Sequence, residues 1–233
     1  MDDAKNPPLT LAAWKADQVA LTMAFASRKR LGLAFMAMGW AHLGCFLLLQ
    51  ALYNRGFRQP PLYIGIWVAE LGANLWLMRQ FSGPGWAKST AILSLLVRIW
   101  GTFLLLSFTL VSLNHLMTFS MEWYRSAWTT LSTFGFAMTA YLTTPWFFVP
   151  AVQMYFTGLL LAMYPRIGFV AYGVSWWAAL QGIGLVLEYK RARSMAPEAS
   201  TAGLLRAGRP GIDPDSTPSH AKGRWPAHAE GLS

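Results

Sequence analysis

Four side chains capable of acid–base or hydrogen-bonding chemistry stand inside otherwise oily stretches: His42, Glu70, Asn74 and Arg98. A carboxyl and an imidazole can pass a proton, a guanidinium can neutralise the carboxylate, and an amide can complete its hydrogen bonds. The run WVAELGANLWLMR, residues 67–79, puts Glu70 and Asn74 one helical turn apart. Tyr63, Trp67, Glu70, Asn74 and Met78 share that helix face. Ser94, Arg98 and Thr102 share a face of the next apolar run, and Gly39, His42 and Gln50 lie broadly together on the one before.

Depth along each run is countable. Measured from one common side, all four residues fall roughly 9–15 Å from the end of their helices at ~1.5 Å per residue. Consecutive antiparallel helices joined by short loops are expected neighbours, and Ala37, Ala41, Ala69 and Ala73 allow close approach. These counts predict a Glu70–Arg98 ion pair completed by Asn74 and His42. In one reading the cluster binds a proton or polar ligand. In the other it is a neutralised pair that fixes helix packing, and an opposite charge at matching depth favours this second role.

Other chemistries find less support. His42 and His115 are the only histidines near the apolar runs. The depth count puts them ~25 Å apart along the bundle, too far to ligate one haem within a chain. His115 and Glu122 lie seven residues apart with no further converging ligand, and His220 and His228 stand alone, so no metal site is expected. Trp123 and Tyr124 suit a headgroup-level loop, and Trp176-Trp177 suits packing. Cys45 has no second thiol for a disulfide or redox pair. No nucleotide-binding loop, metalloprotease, serine-hydrolase or kinase signature occurs. No cofactor is implied, and an enzyme is the least supported class.

The elements that must position these residues follow from composition. The chain has 233 residues, 55% apolar and 12% charged, against roughly 25% charged in a soluble domain. Several runs reach the ~20 apolar residues that cross a bilayer. The expected fold is an all-α polytopic membrane helix bundle of about six transmembrane helices, at about 33–53, 62–80, 90–113, 127–142, 149–164 and 167–187. Asn54-Arg55-Gly56, Pro60-Pro61, Ser82-Gly83-Pro84-Gly85, Thr143-Thr144-Pro145 with Pro150, and Pro165-Arg166 supply the breaks. Residues 127–164 are only just enough for two spans, and a re-entrant element competes there.

Residues 1–32 form a polar N-terminal segment in which Leu11, Trp14, Leu21 and Phe25 make a loose apolar face, either an interfacial helix or a plain extension. No signal-peptide order is present. Residues 189–233 read as a basic, disordered tail, since from Ser194 Ala, Gly, Pro and Ser replace large apolar residues.

The formal charge of +9 sits at segment ends and in the tail, the positive-inside pattern and not a nucleic-acid surface. With six spans, one side receives Lys5, Lys15, Arg28, Lys29, Arg30, Arg79, Lys88, Lys190, Arg191 and Arg193. The other receives Arg55, Arg58, Arg125 and Arg166. Ten against four predicts that both termini are cytoplasmic. Arg28, Lys29 and Arg30 with Lys190, Arg191 and Arg193 are then placed to meet anionic headgroups of the lipid bilayer. The leading functional expectation is a non-enzymatic membrane module, an accessory subunit, sensor or assembly partner that meets another protein or a second copy. A small transporter or channel using Glu70, Arg98, Asn74 and His42 is the alternative.

Overall fold

The computed structural model of the chain describes residues 10–57, 59–117 and 121–207, without the side chains of 115, 121–124 and 195–207. His115, Glu122, Trp123, Tyr124, His220 and His228 therefore lie outside the described side chains. Among the described residues 91% are helical and no strand occurs. Seven helices follow in order: α1 Leu11–Arg28, α2 Leu31–Asn54, α3 Pro60–Ser82, α4 Ala91–Met117, α5 Met121–Leu142, α6 Phe148–Met163 and α7 Gly168–Ala207.

Local chemistry sets the helix boundaries. The Thr10 hydroxyl accepts from the Ala13 amide at 3.2 Å and starts α1. Pro60 and Pro61 occupy the first turn of α3, where no backbone N–H is required. Gly83 and Gly85 turn the chain into α4 with φ of 81° and 75°, values a side chain would resist. Single 3₁₀ turns at Pro145–Phe147 and Pro165–Ile167 separate α5 from α6 and α6 from α7. Residues 127–164 thus form two helices packed as a hairpin.

Four helical stretches are long and apolar enough to cross a membrane: Leu31–Asn54, Ala91–Asn114, Pro145–Met163 and Pro165–Ser194. α3 and α5 are more polar, α3 through Glu70, Asn74 and Arg79. On α5 the hydroxyls are absorbed by their own helix. Ser132 donates to Trp128 O at 2.8 Å, Thr133 to Thr129 O at 2.9 Å and Thr139 to Gly135 O at 2.8 Å. Such back-bonded hydroxyls present little unmet polarity.

α7 is the hub. Gly32 of α2 and Gly184 of α7 touch so closely that a Cβ on Gly32 would lie 2.6 Å from the Gly184 carbonyl oxygen. Seven residues on, a Cβ at Gly39 would meet Leu180 Cβ at 3.2 Å, and seven further Phe46 sits where a Cβ on Gly173 would be, 2.6 Å away. A contact every seven residues is the seam of a left-handed helix pair. The same helix is tied to α6 by Thr157–Ser175 at 2.7 Å and to α5 by Ser132–Tyr172 at 2.9 Å.

α1 crosses one end of the bundle. Beside Leu31 it meets the start of α2 through Arg30, held at φ 51°, a left-handed conformation that costs a non-glycine residue ~1 kcal/mol. Thr22 then bonds Thr90 at 2.8 Å at the start of α4, and Lys15 donates to Tyr141 O at 2.6 Å at the end of α5. Touching the ends of three helices in ~20 Å of its own length, α1 runs across the bundle axis.

The chain divides into two compact units, Met1–Arg193 and Ser194–Ser233. Within the second, residues 194–207 are helical, although the sequence reading assigns them to a disordered tail. Ala, Glu, Leu and Arg in that stretch favour helix.

Candidate functional site

His42 on α2 and Glu70 on α3 meet inside the bundle. His42 Nδ1 bonds Glu70 Oε1, with side chains 11% and 3% exposed. One turn further along α3, Asn74 donates its amide to the same Oε1 at 3.2 Å. α2 and α3 pack along each other, which brings the pair together. The i to i+4 spacing on α3 does the rest.

Rings enclose the imidazole: Phe46 at 4.5 Å, Trp176 at 5.3 Å and Tyr172 at 6.1 Å between centroids. The Cys45 thiol, half-buried, lies beside the same carboxylate. Either atom of the Nδ1–Oε1 line can carry the bonding proton, depending on the imidazole tautomer. Glu70 Oε2, His42 Nε2 and Asn74 Oδ1 are buried and bond no other described protein atom. Among the described residues no group of three metal-ligating side chains occurs.

Arg98 does not belong to this cluster. The predicted Glu70–Arg98 pair is replaced by Glu70–His42, and Arg98 is exposed on the outer face of α4 with no ion pair among the described residues. α3 packs on α2 while α4 packs on α5, and Arg98 lies on an exposed side of α4. Chain adjacency therefore does not bring the two residues onto facing sides.

From the sequence, Arg125 belongs with the end charges Arg55 and Arg166. Those two are exposed, but Arg125 is 2% exposed. Its guanidinium lies over Phe169 at 4.9 Å and Tyr53 at 5.4 Å, a cation–π arrangement. Gly168 makes room for it, since a Cβ there would stand 2.8 Å from Arg125 Cζ. No local pattern marks Arg125, because its partners come from α2 and α7.

A groove of about 390 Å³ opens where α3 and α4 diverge, lined among others by Tyr63, Ile64, Trp67, Asn114 and Trp128. It does not include Glu70, Asn74 or His42. Trp67 packs on Trp128 at 5.4 Å, Trp128 on Tyr172 at 6.1 Å, and Tyr172 faces His42. This aromatic partition separates the groove from the polar cluster.

No family model matches the chain, and no curated protein or solved structure proves similar to it.

Proposed function

We propose that this chain is a multi-pass membrane protein without catalytic activity, an accessory or assembly module in which His42, Glu70 and Asn74 lock α2 to α3. One observation carries the reading: the two ionisable groups bond each other within a ring-lined, packed contact. A membrane-buried acid with an in-chain partner needs no ligand to explain it. All six helices from α2 to α7 cross the bilayer in this reading, with α1 at the cytoplasmic interface and both ends inside, as the ten-to-four Lys/Arg bias favours. Arg28, Lys29 and Arg30 with Lys190, Arg191 and Arg193 then face anionic headgroups.

The test is reconstitution of the full chain in liposomes enclosing a pH-sensitive dye. The module gives the proton leak of protein-free vesicles under an imposed gradient. A second reading, proton or solute passage through the cluster, is favoured by the three buried atoms that find no protein partner, Glu70 Oε2, His42 Nε2 and Asn74 Oδ1. Flux that disappears in Glu70→Gln would establish that reading and end the first.

A further inference from the structure

α4 is the least enclosed of the apolar spans. Only 17% of its apolar window is buried inside the chain, against 39% for Pro165–Ser194. Its outer face is a continuous row of exposed residues, Ala91, Leu95, Arg98, Thr102, Leu105 and Thr109, at the three-and-four spacing of one helix face. Gly101 adjoins the row, and a Cβ there would meet nothing within 4 Å. The face is therefore both open and shallow enough for a second backbone to approach.

Arg98 stands in this row ~10 Å along α4 from Ala91. Thr102 and Thr109 return their hydroxyls to α4, to Arg98 O and Leu105 O at 3.0 Å each. The guanidinium is thus the one group in the row that asks for an outside partner. An unpaired cation facing hydrocarbon is costly, and such residues normally pair. Among the described residues none supplies the counter-charge. Glu70 is engaged by His42, Glu188 by Arg191 at 3.0 Å, and Asp17 belongs to the end helix α1.

We propose that this face of α4 docks a transmembrane helix of another protein, one that carries an Asp or Glu at the depth of Arg98. A second copy of this chain is the wrong occupant. Two copies inserted in the same orientation and paired symmetrically through the row set Arg98 against Arg98, and like charges repel strongly in a low-dielectric interior. The inference rests on the module reading and names the chemistry of its partner.

A photo-crosslinking residue at Thr102 of the full chain in host membranes, with Val152 on α6 as the control site, tests it. The expected result is a polypeptide adduct specific to Thr102. It is retained in Arg98→Lys and reduced at least about tenfold in Arg98→Glu. The captured protein carries an intramembrane acid, and exchanging that acid for Lys restores the adduct to Arg98→Glu. Arg98 has no side-chain partner within the described chain, so Arg98→Glu leaves the unfolding midpoint of the purified protein unchanged. Adducts to lipid alone, to a second copy, or unchanged by Arg98→Glu overturn the proposal. Lipid-only adducts without proton flux reject the docking face and keep the module. Glu70-dependent flux rejects the module whatever Thr102 captures.

Discussion

The sharpest consequence of the structure is that His42 and Glu70 are energetically coupled while Arg98 and Glu70 are not. Glu70→Leu removes two hydrogen bonds at once, to His42 and Asn74. Side-chain hydrogen bonds within membrane proteins contribute ~0.6 kcal/mol on average and up to ~1.7, so the single substitution should cost about 1–3 kcal/mol. His42→Leu removes one bond and should cost about 0.6–2 kcal/mol. Once either partner is gone, removing the other loses nothing more at their shared bond. The double variant should therefore fall short of the sum by about 0.6–1.7 kcal/mol. Glu70→Gln keeps an acceptor oxygen for His42 and Asn74 and should be milder than Glu70→Leu.

Denaturant titration in mixed micelles, followed by tryptophan fluorescence and circular dichroism, measures each corner of the cycle. The Glu70→Leu/Arg98→Leu cycle, run in parallel, should be additive within ~0.5 kcal/mol. An additive His42–Glu70 cycle, or a coupled Glu70–Arg98 cycle, would refute the assignment.

The helix seam gives a second expectation. Gly32→Leu drives a side chain into the Gly184 carbonyl and Glu188, so it should lower stability by ~1–3 kcal/mol in the same titration. Gly65→Leu, in open space, should not share that loss. Gly168→Ala places a methyl against Arg125 and should destabilise by ~1–3 kcal/mol, with the emission of tryptophans near Phe169, Trp128 among them, as the local probe. Lys15→Ala removes the ammonium from the end of α5 and should cost ~0.3–1 kcal/mol, read as faster amide exchange in α1. Reporter fusions at each terminus should both report the cytoplasmic side, and opposite sides would refute the six-span reading.

Much of the site was legible, and the part that was not is instructive. Glu70 and Asn74 lie on one helix, so i to i+4 geometry places them together before any tertiary contact forms. His42 was found by depth, because distance along a helix from its end converts directly into distance along the bundle. Arg98 was found by the same count and misassigned. The count gives height and leaves open both rotation about the axis and which helices are neighbours. Arg125 was missed for a related reason: its burial depends on Phe169 and Gly168, which lie far along the chain.

Sequence alone determined the class. An apolar medium requires long helices with satisfied backbones, so composition, run length and the Pro and Gly breaks fix the all-helical fold and bring the bounds of α2, α3, α4 and α6 close to those expected, whereas α5 starts earlier, at Met121, and α7 runs on to Ala207. Only the tertiary structure decided which faces turn inward. In water a helix advertises its buried side by an apolar stripe, but α2 and α3 carry almost no such stripe, and in lipid the exterior is as apolar as the core. The choice between inside and outside then rests on close fit, on Gly32 against Gly184 and Gly173 against Phe46. That fit gathers the bundle around α7 while α4 packs on α5, leaving Arg98 facing out and Glu70 facing His42.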